Sequence, residues 1–202
     1  MAATRTTSES ERTTILDAAL RVMRRNAYAE AQISDILAEA ELSTRAFYRH
    51  FESKDDLLMA LYRNDAEEVA RQLRERVAAA GTPEVQLGAW IDETLSLGYD
   101  RRRAKRAAML ASDAARRTAA FADESARAAR ALSEPLREVL ARGASSGAFP
   151  RCVPDQDAAT IYALVWRLVS EGIGGRATMD ADAAAAHVRR FCFPALGIAA
   201  VG

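Results

Sequence analysis

Apolar residues recur along this chain at the three- and four-residue spacing of helices, and nowhere do they alternate for long enough to make a strand. Ile15, Ala18, Ala19, Val22 and Met23 form a first stripe that ends near residue 25. Ser8, with Glu11 three residues on, is the capping box predicted to open that helix. The stretch "NAYAEA" breaks the stripe, and Ile33, Ile36, Leu37 and Ala40 then share one face of a short second helix. After a turn at Ala40, Glu41 and Leu42, Ser43 is a natural N-cap for a third segment over 43–51. Ser53 and Asp56 form a second capping box, for a helix running to residue 79, before Gly81 and Pro83. Further helices are predicted over 83–98, 101–118, 122–142, 155–171 and 180–196, with clear breaks at 143–154 and 172–182. The pattern predicts an all-α fold of about nine helices. Its organisation is a flexible arm at 1–10, a small unit at 11–52 and a larger bundle at 53–202.

The third segment has two unlike faces. At about 100° per residue, Phe47 and Phe51 fall on one side with Ser43, Ala46 and His50. Thr44, Arg45, Tyr48 and Arg49 fall on the other. A helix this short does not survive alone, so its phenylalanine face must be held by the helices before it. Helix, three-residue turn and helix, with the polar face on the second member, is the layout of a helix-turn-helix. In that layout the second helix enters the major groove of DNA with its N-terminal residues near base edges. Arg45 can there satisfy guanine O6 and N7 together, and the Thr44 methyl can touch thymine. Tyr48, Arg49 and Lys54 lie further along, where phosphate contacts set the register. Lys54 also opens the next helix, whose first amides favour a phosphate.

A cationic helix face is equally compatible with a merely solvated surface. The charge balance does not decide between the two readings. The chain carries 28 Lys and Arg against 28 Asp and Glu, and its first 60 residues hold 8 basic against 10 acidic side chains. Any attraction for nucleic acid is therefore local to this helix.

Residues 15–58, "ILDAALRVMRRNAYAEAQISDILAEAELSTRAFYRHFESKDDLL", closely resemble the DNA-binding domain of the tetracycline-repressor (TetR) family. The likeness rests on the frame of the first helix, Asp35-Ile36, the turn, the Phe-Tyr-Arg-His-Phe core and Ser-Lys-Asp-Asp-Leu-Leu. It implies a regulator of transcription, most simply a repressor that a small molecule releases from a palindromic operator in double-stranded DNA. Carried onto this chain, the DNA contacts are Gln32, Ser43, Thr44, Arg45, Tyr48, Arg49, His50 and Lys54. The direction of His50 on the helix suggests instead packing and a C-cap. Three positions depart from the family pattern: Ala27 and Glu41 stand where glycine is common, and Gln32 where Ser or Thr is preferred. Asn26 offers a left-handed conformation beside Ala27, and a positive φ at Glu41 costs about 1 kcal/mol.

The resemblance also implies a homodimer formed by the last two helices. Their sequences are apolar or small-sided on most faces, with Ala183, Ala184 and Ala186 permitting close approach. Trp166, Val169, Ala184, Val188 and Phe191 are the expected interface, and a buried monomer core is the competing reading. His187 is expected to be structural or at that interface. A two-fold dimer would set DNA half-sites about 34–36 Å apart. Family members bind a small, often hydrophobic effector in the bundle. Trp90, Leu95, Tyr99, Met109, Phe121, Tyr162 and Trp166 are candidates to line such a pocket, although aromatic and methionine residues at helical spacing also make plain core. Arg101–Arg103, in "DRRRAKR", are either a solvated helix start or a cradle for an anionic ligand.

Other classes find little support. No HExxH, P-loop or CxxC pattern occurs, so no enzyme is expected, and no cofactor or metal. Cys152 and Cys192 lie far apart without metal-type neighbours, which suits a reducing compartment. "MAATRTTSES" lacks the apolar core of a signal peptide, and no run of about 18 apolar residues occurs. A cytoplasmic protein away from the membrane is the expectation. A helical protein-interaction adaptor is the alternative, but it would have no use for the exposed Thr44-Arg45-Tyr48-Arg49 face.

Overall fold

A computed structural model describes residues 2–25 and 31–198, with side chains from residue 9 onward. It contains ten described helices: α1 (Ala2–Arg25), α2 (Ile33–Ala40), α3 (Thr44–His50), α4 (Lys54–Ala79), α5 (Pro83–Tyr99), α6 (Arg101–Leu110), α7 (Asp113–Arg116), α8 (Phe121–Ser146), α9 (Pro154–Ile173) and α10 (Ala181–Leu196). No strand occurs among the described residues, and no helix there is long and apolar enough to cross a membrane.

Most element ends follow the local signals. Two do not. α1 continues back to Ala2, so residues 2–10 of the expected arm, and the expected cap position Ser8, lie within a helix. No glycine or proline interrupts 2–14 to stop it. The side chain of Ser8, and Asn26 and Ala27, lie outside the described residues. The helix expected over 101–118 is divided in two. Ser112 accepts a hydrogen bond from the amide of Ala115 and starts α7 afresh, while Arg116 Nε caps the carbonyl of Ala111 at 2.9 Å. Those bonds give the backbone an alternative to continuing the ladder.

The chain divides into two compact units, Met1–Asp65 with Met109–Ser125, and Ala66–Ala108 with Ala126–Gly202. The boundary expected at 52/53 falls ahead of α4, whose first turns belong to the smaller unit. Leu57, Leu58 and Leu61 are buried there beside Ile15 and Val22 of α1, Ile36 of α2 and Phe47 of α3. Leu110 and Ala115 complete that core. Arg63 on α4 also grips the buried carboxylate of Glu124 at the start of α8 through Nε and Nη2.

In the larger unit, α5 and α9 form the closest helix pair. A Cβ built on Gly98 would stand 2.5 Å from the carbonyl oxygen of Val169, and one on Gly172 would stand 2.5 Å from that of Gly98. Only glycine permits that approach. Trp90, Leu95, Leu136, Val165, Val169, Ala184 and Val188 are buried around the crossing. Pro135 breaks the hydrogen-bond ladder of α8, and the indole N–H of Trp90 donates to the carbonyl of Leu132 at 3.0 Å.

Candidate nucleic-acid interface

The turn between α2 and α3 is built by its backbone. Glu41 takes the left-handed conformation, φ 56° and ψ 38°. Its amide donates to the carbonyl of Ala38 at 3.3 Å, and the amide of Leu42 donates to that of Leu37 at 3.1 Å. This pair of bonds is a Schellman motif, which normally places glycine where Glu41 stands. At the other end of α2, Asp35 Oδ2 accepts from the amide of Gln32 at 3.2 Å, which anchors the helix start without a Ser or Thr cap. Gln32 itself is exposed.

α3 is clamped by one face. Ser43 Oγ accepts from the amide of Ala46 at 3.2 Å. Phe47 and Phe51 are buried with their rings 5.6 Å apart, and the Arg12 guanidinium lies 5.4 Å from the Phe51 ring. The opposite face is open. Ser43, Thr44, Arg45 and Arg49 are exposed, and Tyr48 is 59% exposed with its ring edge-on to Phe47 at 5.3 Å. The two-faced helix expected from the spacing is therefore present, with Thr44, Arg45 and Tyr48 open to solvent.

Two of the expected contacts are engaged elsewhere. Arg49 Nη2 donates to both oxygens of Glu11 on α1, at 3.0 and 2.8 Å. His50, with a side chain only 7% exposed, brings Nε2 to 3.1 Å from the same carboxylate. The core-side placement of His50 is thus what its helical direction suggested, and its burial turns it away from a phosphate. Hydrogen bonding from His50, then the charge of Arg49, holds the Glu11 carboxyl below the usual range against a desolvation that pushes it up. Sequence alone missed this cluster, because Glu11 stands 38 residues from Arg49 and carries the spacing of a cap. Lys54 is half-buried, and desolvation lowers its pKa while Asp55 raises it. Around it, Ser53 Oγ accepts from the amide of Asp56 at 3.1 Å, and Asp56 Oδ2 accepts from that of Glu52 at 3.0 Å. That cap reaches one residue further back than a reciprocal capping box.

The candidates for an effector pocket divide between the two units. Met109 and Phe121 belong to the smaller unit, where Phe121 packs on Tyr62 at 5.4 Å. Trp90 is wholly buried and hydrogen-bonded in the core of the larger unit. Tyr162 and Trp166, one helical turn apart on α9, stack at 5.8 Å with rings 8° from parallel. Leu95 and Tyr99 line a recess of about 340 Å³ with Asp92, Ser96 and Asp182. The Tyr99 hydroxyl is buried there without a hydrogen-bond partner. Arg103 is tied down: it donates to Glu93 at 2.6 Å, to Ser96 and to Gln72 at 3.2 Å. Arg101, Arg102 and Lys105 of the basic run stand exposed, and Asp100 Oδ1 already caps the amides of Arg102 and Arg103 at 2.9 Å.

The expected interface residues also divide. Val169, Ala184 and Val188 are completely buried inside the protomer, packed around the α5–α9 crossing, so they reach no partner. Periodicity could not tell the inner apolar face of α9 and α10 from the outer one, since both are apolar. Trp166 is half-buried and Phe191 is 60% exposed, so these two remain available, and His187 lies against Phe191 at 5.1 Å.

Residues 15–61 match the family described as bacterial regulatory proteins, tetR family. The chain is 28% identical over 83 residues to the fatty acid metabolism regulator protein of Bacillus subtilis (strain 168). That match covers 41% of this chain and 43% of the relative, less than half of its length. A TetR transcription regulator from Haloarcula marismortui shares the fold with a TM-score of 0.77 at 20% identity, over 92% of this chain and 98% of that one. FadR from Bacillus subtilis, solved in complex with stearoyl-CoA, does so with a TM-score of 0.69 at 19% identity, over 91% and 98%. The chain is thus similar to bacterial regulatory proteins of the tetR family over residues 15–61, and as a whole it shares its fold with these solved structures.

Proposed function

We propose that the chain is a ligand-responsive, DNA-binding regulator of transcription, acting as a homodimer that represses until a small molecule binds. The open face of α3 carries this reading. Thr44, Arg45 and Tyr48 stand exposed on a short helix whose other face is locked by Phe47 and Phe51. Such a helix presents its first residues to base edges and the rest to phosphates. Arg45 and Thr44 are the base readers in this scheme, and Tyr48, Arg49, Ser43, Gln32 and Lys54 set the register on the backbone.

A regulator needs two conformations that a ligand tells apart, because a ligand of equal affinity for both shifts nothing. The effector here is largely hydrophobic. The apolar residues of the larger unit support that, as does the relative named for fatty acid metabolism. A second copy supplies the other half-site. The exposed Ala159 and Ala163 of α9 and Ala183, Ala186 and Phe191 of α10 offer a small-sided apolar face for it. A reader of the chromosome of this kind works in the cytoplasm.

Binding to the DNA upstream of its own gene, followed by fluorescence anisotropy across a salt series, tests the reading. Tight and salt-sensitive binding is expected, with selectivity over random duplex that Arg45→Ala lowers by roughly 1–3 kcal/mol of discrimination at its base. Equal, weak binding to both duplexes by the wild type would overturn it for that operator, and an insensitive Arg45→Ala would overturn the role of Arg45.

A further inference from the structure

α3 offers two exposed guanidiniums to a duplex, and the fold treats them differently. Arg45 meets no carboxylate among the described residues. Arg49, one turn later, has its charge answered by Glu11, which it holds with both oxygens at 3.0 and 2.8 Å. His50, buried beneath, binds the same carboxylate at 3.1 Å and pins it from the core side. Glu11 is therefore fastened by two residues of α3 from the first helix, and its own side chain is only 21% exposed. We propose that Glu11 is a specificity-determining residue of the DNA-binding unit: its carboxylate cancels the charge that Arg49 brings to the backbone and so lowers affinity for DNA of any sequence. The proposal rests on the DNA-binding reading above.

The reasoning is electrostatic. A carboxylate and a phosphate compete for the same planar fork of an arginine. Non-specific affinity comes almost wholly from phosphate charges neutralised by Lys and Arg, each releasing counterions. A second uncancelled arginine would raise affinity for every duplex alike, and the useful quantity is the ratio of specific to non-specific binding. Whichever donors of Arg49 face the backbone, the net charge it brings is what Glu11 removes. Arg45, left uncancelled, keeps its full charge where base edges are read.

The probe is a mixed-sequence duplex of roughly 30 base pairs, long enough for one helical turn between half-sites with flanks. It is titrated with the full-length wild type, Glu11→Gln, Arg49→Gln and the double variant across a salt series. Gln keeps the length of Glu11 and can still accept from His50, and thermal unfolding confirms that each variant folds. For each subunit engaged, Glu11→Gln is expected to tighten binding on the order of fivefold at 0.1 M salt and to steepen the slope of log affinity against log salt by about 0.9. The double variant, which removes both charges, is expected to bind as the wild type does. If Glu11→Gln alone is unstable, Arg49→Gln, which leaves the carboxylate unanswered, must bind more weakly than the double variant. Unchanged or weaker binding by Glu11→Gln, or a double variant that binds as tightly as Glu11→Gln alone, would overturn the role of Glu11. If the wild type shows no salt-dependent binding at all and Arg45→Gln changes nothing, the DNA-binding reading itself falls. Normal wild-type binding with an inert Glu11→Gln sinks only this proposal.

Discussion

Gly98 of α5 and Gly172 of α9 lie against each other so closely that a Cβ on either would meet backbone at 2.5 Å. The two helices touch along their main chains, and the buried side chains of the larger unit, Trp90, Val165 and Val169 among them, are set around that contact.

That relationship predicts a reversal of the usual substitution rule. In a free helix, Gly172→Ala would stabilise by roughly 0.8–1 kcal/mol through propensity. Here the added methyl group has nowhere to go, since the neighbouring atom is a carbonyl and not a flexible side chain. Overpacking of this kind costs about 1–3 kcal/mol. Urea unfolding of Gly172→Ala should show a lower midpoint, and a midpoint equal to or above the wild type would refute the crossing.

Glu41 points the opposite way. It holds a left-handed conformation at the end of α2 that glycine adopts without penalty. Glu41→Gly is expected to stabilise the chain by about 1 kcal/mol while leaving DNA affinity unchanged. A loss of stability in a thermal melt would mean that the carboxylate has a role that the turn geometry does not require.

Acid should loosen the packing of α1 on α2. Glu39 accepts from Arg25 at 2.5 Å and from Arg21 at 2.7 Å, and these bonds, Arg25 first, hold its carboxyl below the usual glutamate range. A carboxyl depressed in the folded state binds its proton more readily when unfolded. Its stabilisation is therefore complete above the ordinary glutamate pKa of about 4.3 and disappears as pH falls through the lower folded value. Melting temperatures of the wild type and Glu39→Gln between pH 6 and about pH 3 should converge on acidification. Parallel curves would show that the pair contributes nothing.

The dimer proposal is open to a surface substitution. Phe191 is 60% exposed on α10, whereas Val188, one turn earlier, is buried in the protomer. Phe191→Arg is expected to shift the molecule toward monomer in sedimentation velocity without lowering its helical content. Retention of the wild-type sedimentation coefficient would move the interface off this face.

Much of the fold was legible in local spacing. The ends of α2, α4 and α5 fall where Ala40, Lys54 and Pro83 mark them, because caps, glycines and prolines act within a few residues of themselves. The same holds for the two faces of α3, since a helix of known pitch assigns Phe47 inward once Arg45 is outward. The division of residues 101–118 into α6 and α7 was less visible, for Ser112 reads equally well as a helical residue or as a cap, and only its bond to Ala115 decides.

What the sequence by itself determined, then, is the helical alphabet of this chain and the two-faced α3 within it, properties that depend on neighbours one or two turns away. Only the tertiary structure decided that Glu11 answers Arg49 across 38 residues, that Met109 and Phe121 join the smaller core, and that Val169, Ala184 and Val188 face inward while Phe191 faces out. The physical reason is the range of the forces involved. Helix pitch and capping are settled by backbone bonds close in sequence, whereas charge pairing and burial depend on which surfaces the folded chain brings together, and an apolar residue carries no mark of which surface that will be.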